Sequence, residues 1–260
     1  MNNILFISIL AFLPFAYAQE HTDLARLPGE QQVIKRTNYA LSYNDSHKVA
    51  NWVAYSLRTD QLKSCVTRPS GFVPDPLITT GTAVTTDYTN TGFDRGHLLP
   101  AGDMKYDAKA MKDTFFMSNV TPQPPTFNRG MWARMEVLVR AWTKSAGKMW
   151  IVTGPVLTET LPWIGHRVTI SVPKHFYKVM IRKVGNKYVG MAILMSTDLP
   201  HATLIEYATT INAIEALTGI DFFPFLDDAV EEEVERATDM KLWDFKATFE
   251  YLPCSLSVAR

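Results

Sequence analysis

Two apolar runs, Phe176–Lys183 and Tyr188–Met195, are separated only by Val184-Gly185-Asn186-Lys187. Gly and Asn tolerate the positive φ of a tight turn, so the pattern predicts a β-hairpin. A third run, Lys148–Val156, and the alternating aromatic and aliphatic residues of Lys48–Leu57 read as further strands. Helices are expected over Tyr106–Thr114, Asn128–Lys144 and Thr203–Leu217. In the second, Met131, Met135, Leu138 and Trp142 fall at i, i+4, i+7 and i+11, with Val139 alongside. The third stops at Thr218-Gly219, a suitable left-handed end. Strands that meander with helices between them predict an α+β protein with a central antiparallel sheet flanked by helices. Residues 19–37 are polar and expected to be loose. Residues 66–92, rich in Pro, Thr, Gly and Asp, read as a long excursion of the kind that usually serves function.

The 260 residues suit one domain, and 47% hydrophobic content is enough for a sizeable core. With 26 basic and 26 acidic side chains, net charge does not argue for a nucleic-acid partner. The distribution is uneven, however. Arg95–Lys148 carries nine Lys/Arg and four acids, a balance of +5, and Asp221–Asp239 carries eight acids and one Arg, a balance of −7. This is either a local electrostatic footprint or two solvated faces.

Met1-Asn2-Asn3, an apolar run from Ile4 to Phe15, and Ala16-Tyr17-Ala18 together read as a signal peptide over 1–18, though its start lacks Lys or Arg. Residues 19–260 would then form a single mature domain, secreted or periplasmic. The same segment could also be an interfacial anchor or an N-terminal strand. No later stretch is long and apolar enough to span a bilayer, so no membrane partner is expected. Cys65 and Cys254, an even count in an exported chain, are expected to pair. There is no Cys/His cluster for zinc. G-x-S-x-G, H-E-x-x-H and G-x-x-x-x-G-K are absent too, so serine, zinc-protease and P-loop chemistry have no support.

Two segments carry candidate chemistry. Asp94-Arg95-Gly96-His97 ends the excursion and precedes a helix. A neutral His can take a proton from water, and Arg95 could clamp a phosphate. The same residues could equally be structural. Downstream lie Ser118-Asn119-Val120-Thr121-Pro122-Gln123 and Asn128-Arg129-Gly130-x-Trp132-x-x-x-Glu136-x-x-x-Arg140. At about 100° per residue on one continuous helix, Asn128 falls among the apolar side chains and needs a partner there. A metal ion could supply it, or Asn128 could simply be an N-cap. Glu136 and Arg140 could likewise be a plain i, i+4 surface pair.

These motifs, in this order, resemble the signature of the DNA/RNA non-specific endonucleases with a ββα-metal fold, which include secreted Serratia-type nucleases and mitochondrial endonuclease G. Ala50–Tyr55, Val152–Pro155 and Leu217–Pro224 are also similar, so the resemblance runs over roughly residues 35 to 227. It implies a Mg²⁺-dependent endonuclease, with Mn²⁺ as an alternative ion, that hydrolyses phosphodiester bonds of DNA and RNA. His97 would be the general base and Asn128 the one direct metal ligand, with Glu136 holding metal-bound water. Arg95, Arg140 and Arg68 would contact or stabilise the phosphate, and Asn119 would orient His97 or the substrate. Homodimers occur in the family. The rival expectation is a nucleic-acid-binding protein on the same fold without catalysis, against which the intact His, Asn and Glu set argues.

Overall fold

The runs expected to form strands do so, and they lie side by side. In the computed structural model, residues 21, 23–29, 32–158, 160–199 and 202–254 are described, so the expected leader over 1–18 lies outside the described residues. In chain order the main elements are β1 (Gln32–Lys35), β2 (Ala40–Asn44), β3 (Val49–Arg58), β4 (Asp94–His97), α1 (Ala108–Asp113), β5 (Val120–Gln123), α2 (Ala133–Ala146), β6 (Lys148–Pro155), β7 (His175–Val184), β8 (Lys187–Ser196), β9 (Ala208–Thr209), α3 (Ile211–Thr218) and α4 (Asp228–Arg236).

Seven strands make the central sheet in the order β9-β8-β7-β6-β3-β2-β1, every neighbouring pair antiparallel. The β7–β8 hairpin closes at Val184↔Lys187, and Gly185 takes the positive φ, +61°. Side chains alternate across a pleated strand, and β7 shows the consequence. Phe176 and Met180 join Met135, Leu138, Val139 and Trp142 of α2 in one core. Tyr177, Val179 and Ile181 join Ile211 and Ile214 of α3 and Val234 of α4 in a second core on the other face. The α+β expectation therefore holds, with helices on both sides of an antiparallel sheet.

Three local expectations differ. Residues 19–37 are not loose throughout: β1 pairs with β2, and Ala25–Arg26 pairs with Asp221–Phe222. Such edge pairings are made by backbone and leave little mark on side-chain pattern. The predicted Thr203–Leu217 helix is broken. Ala208–Thr209 pairs with β8, and α3 begins only after Thr210, whose hydroxyl accepts from Ala213 N at 3.3 Å. Gly219 ends α3 at φ +73° as expected. The excursion over 66–92 is largely irregular but held in place. Buried Asp75 accepts from Arg36 and from the Ser118 hydroxyl, and Asp87 accepts from the backbone N–H groups of His166 and Arg167.

Cys65 and Cys254 form a disulfide, with Cα atoms 5.0 Å apart and 189 residues apart in sequence. Among the described residues no helix is long and apolar enough to cross a membrane. Because the bridge closes so long a loop, its removal should lower stability by about 2–5 kcal/mol, the upper figure being the full loop-closure entropy. Urea unfolding of Cys65→Ser/Cys254→Ser against the parent measures this, and an unchanged midpoint would refute it.

Candidate active site

β4 and β5 form a separate two-stranded ribbon, with Asp94↔Gln123, Arg95↔Pro122, Gly96↔Thr121 and His97↔Val120 opposite one another. Gly96 is required by the ribbon itself. A Cβ there would lie 2.1 Å from Gln123 Oε1, so the glycine makes room for Gln123 rather than for a substrate. After β5 the chain enters a helical turn over 125–132 and then α2. The backbone leaves helical geometry at Gly130 (φ −102°, ψ −110°).

That break corrects the placement of Asn128. The continuous-helix reading put it among apolar residues, but Gly130 resets the rotation. Asn128 is half-buried and lines a cleft of about 440 Å³. The cleft also presents Arg68, Asp94, Arg95, His97 and Glu136. Asn128 Nδ2 donates to Asp94 Oδ2 at 2.9 Å, and Arg129 grips the same carboxylate with two bonds of 2.8 and 2.6 Å. One N–H of the amide is thereby committed to Asp94. The Arg129 and Asn128 bonds hold the Asp94 carboxyl below the usual carboxylate range.

His97 is 8% exposed and packs against Phe72 and Phe115, with ring centroids 5.1 and 5.0 Å away. Its Nε2 has no hydrogen-bond partner among the described residues. Burial, with a smaller contribution from the Arg68 charge, lowers its pKa to about 3, so the imidazole is neutral at ordinary pH. Arg95 and Arg68 are exposed at the rim. Arg95 lies over the Phe72 ring and Arg68 over the Phe115 ring, each 5.6 Å from the centroid. Among the described residues neither makes an ion pair with a carboxylate.

Two expected residues are not at the cleft surface. Asn119 is fully buried. Its Nδ2 donates to the carbonyls of Leu99 (3.0 Å) and Thr114 (2.9 Å), and its Oδ1 accepts from Leu99 N (2.8 Å). It fixes the backbone two residues after His97. Arg140 is 7% exposed and its Nη1 donates to Asp103 Oδ1 at 2.7 Å, so its partner is not Glu136 and the surface-pair reading fails. Burial works against the Arg140 charge, but Asp103, Tyr251 and Glu136 outweigh it and hold the charge firmly.

Sequence reasoning misses Asp94 as the residue that orients Asn128, together with Phe72, Asp103 and Lys178. Asp94 opens the Asp-Arg-Gly-His motif, so its signal is present there. Lys178 has none, since it interrupts an apolar strand. It is 0% exposed, reaches Thr153 Oγ1 at 3.3 Å and lies 4.3 Å from the Trp132 ring centroid. Burial pushes the Glu136 carboxyl up, opposed by Lys178 and Arg140, and pushes the Lys178 amine down, opposed by Glu136.

A hard divalent cation fits this donor set. The oxygen-bearing side chains that line the cleft are the Asn128 amide and the carboxyl groups of Asp94 and Glu136, with Asp94 held by Asn128 and Arg129. Among the described residues no group of three or more His, Cys, Asp or Glu could cage a metal.

A β-ribbon carrying a histidine, followed by a helical turn carrying Asn128 and a helix carrying Glu136 beside an antiparallel sheet, is the architecture of the ββα-metal nucleases. The chain belongs to the DNA/RNA non-specific endonuclease family, whose sequence model matches residues 22–229. It is 31% identical to the mitochondrial nuclease EXOG of Homo sapiens over 83% of its own length and 64% of that protein's. It thus spans slightly less than two thirds of this relative. It is 32% identical to mitochondrial endonuclease G of Bos taurus, covering 76% of this chain and 71% of the relative. The crystal structure of an EndoG/EndoGI complex matches with a TM-score of 0.72 at 28% identity, over 81% of this chain and 92% of that one.

These relatives correct one expectation. They are mitochondrial nucleases, which points away from a secreted or periplasmic location and towards a mitochondrial one.

Burial of neutral His97 has a stability consequence. Unfolded His97 binds a proton near pH 6.5 and folded His97 only near pH 3. The stability that His97 contributes is therefore complete above about pH 6.5 and is lost as pH falls, at up to about 1.4 kcal/mol per pH unit. Chemical denaturation between pH 7 and 4.5 should show a loss about 2–3 kcal/mol larger for the parent than for His97→Gln. Parallel curves would contradict the buried neutral state.

Proposed function

We propose that this chain is an endonuclease that hydrolyses phosphodiester bonds of both DNA and RNA with Mg²⁺, and that residues 19–260 act as one catalytic domain. The observation that carries the reading is a neutral histidine and a tethered asparagine oxygen in the same cleft, between the exposed guanidinium groups of Arg68 and Arg95. Phosphodiester hydrolysis needs a base for the attacking water and positive charge where the phosphate becomes more negative. Neutral His97 would accept the proton from water. Its depressed pKa keeps it unprotonated throughout the neutral range.

Arg68 and Arg95, on the rim, would hold the phosphate. Contacts of that kind carry no base information, which accounts for indifference to sequence and to sugar. Asn128 would be the protein ligand of Mg²⁺, or of Mn²⁺ in its place, with Glu136 orienting the ion's water. When bound, the ion would supply charge neutralisation for the phosphate and the leaving oxygen. Asp94 would keep the Asn128 amide turned correctly, and Asn119 would steady the backbone beside His97. Arg140 would act from behind the cleft, by holding Asp103 and balancing Glu136, rather than by touching phosphate.

The test uses purified protein on plasmid and on RNA, with Mg²⁺ and with EDTA. The parent should cut both substrates only with the metal. His97→Ala should lose about 10²–10⁴-fold in kcat/KM, the usual worth of general-base assistance, while Mg²⁺ affinity stays near the parent value. Asn128→Ala should lose metal affinity first and recover part of its activity in excess Mg²⁺. A folded His97→Ala with parental activity would end the general-base assignment. Metal-dependent retention of nucleic acid by the parent without cleavage would indicate a binding protein instead.

A further inference from the structure

The family match ends at residue 229, yet the chain continues in an ordered strap over 240–254. Its sequence, Trp243-Asp244-Phe245-Lys246-Ala247-Thr248-Phe249-Glu250-Tyr251, alternates apolar and polar residues, and exposure alternates with it. The apolar side lies along α2. Trp142 stacks edge-on with Trp243 and Phe245 at 5.0 and 5.3 Å and donates from Nε1 to Asp244 O at 3.0 Å, while Arg134 donates to Ala247 O at 3.0 Å.

The strap then reaches the back of the cleft. The Arg140 guanidinium lies over the rings of both Phe249 (5.6 Å) and Tyr251 (5.9 Å). Tyr251 Oη donates to Gly102 O at 2.9 Å. Gly102 sits between Ala101, which lines the cleft, and Asp103, which receives Arg140 at 2.7 Å and Tyr55 Oη at 2.8 Å. The fit is close: a Cβ on Gly102 would lie 2.8 Å from Arg140 Nη1 and 2.9 Å from Tyr251 Oη. Beyond Tyr251, Leu252 N donates to Leu62 O at 2.7 Å, and Cys254 is bonded to Cys65, three positions before Arg68. One segment thus touches both the Arg140–Asp103 end of the site and the root of the loop that presents Arg68.

We propose that Tyr251 and Phe249 are positioning residues of the nuclease site, and that the strap, fastened by the Cys65–Cys254 bridge, sets the Arg68 loop and the wall over 100–104 in register across the cleft. The proposal rests on the nuclease reading of the cleft above. In an enzyme whose work is placing charge around a phosphate, displacement on the scale of 1 Å can cost about 10²-fold in rate.

The experiment compares the full chain with Tyr251→Phe, Tyr251→Leu and Cys65→Ser/Cys254→Ser. Each is assayed on plasmid well below its own melting temperature, together with hydrogen exchange of the peptides covering 64–72 and 100–104. Tyr251→Leu and the serine pair should lose about 10- to 100-fold in kcat with KM within a few-fold of the parent. Tyr251→Phe, which keeps the ring over Arg140, should fall between. Exchange in both peptides should quicken together in the serine pair and in Tyr251→Leu. Folded variants with parental kcat would overturn the proposal while leaving the nuclease reading intact. If the parent proves inactive, the nuclease reading fails, and the exchange data still decide: unchanged protection in both peptides overturns the register role, and joint loss of protection supports it.

Discussion

Two acids and two bases lie between the central sheet and α2: Asp103, Glu136, Arg140 and Lys178. Desolvating such charges is costly unless each finds a partner. Here the set is neutral as a group. Arg140 pairs with Asp103, which also takes the Tyr55 hydroxyl, while Lys178 and Arg140 oppose the penalty that burial imposes on Glu136. The compensation requires the turn over 100–104, β7 and α2 to meet in one arrangement. That arrangement also brings Glu136 into the cleft with Asn128 and His97. The buried charges thereby couple the fold to the geometry of its site.

Within the cleft the division of labour follows from burial. His97 sits against two aromatic rings and is held neutral, the state the proposed base role would need. Arg68 and Arg95 stay exposed, where their charge can meet a phosphate arriving from solvent. The ribbon between them depends on Gly96, which lets Gln123 lie across it, and on Asn119, which spends its whole amide on backbone. Rigid backbone beside a mobile polyanionic substrate is what electrostatic catalysis demands, since preorganised groups need not reorganise as charge develops.

Several features are legible in the residue pattern alone. The hairpin at 184–187, the strands over 48–57 and 148–156 and the apolar stripe of α2 are readable because each is a local period: two for a half-buried strand, 3.6 for a helix. The order of Asp94–His97, Ser118–Gln123 and Asn128–Glu136 identifies the family and most of the cleft. The helix expected over 203–217 is too long because its apolar spacing is helical throughout, while pairing of Ala208–Thr209 with β8 overrides it. β1 escapes notice because edge pairing is backbone chemistry.

The sequence by itself determined the long strands, the helix carrying Glu136 and the family, since local periods and motif order are written in neighbouring residues. Tertiary structure alone decided which way the groups face and what state they are in. The break at Gly130 turned Asn128 out of the apolar stripe and into the cleft. Arg140 turned inward to Asp103, 37 residues away. Lys178, in the middle of an apolar strand, became the counter-charge of Glu136. The strap over 240–254 came to lie across the back of the site. The burial of Arg140 and Lys178 balances the cost of desolvating a charge against a partner distant along the chain, and no local pattern records which partner that will be.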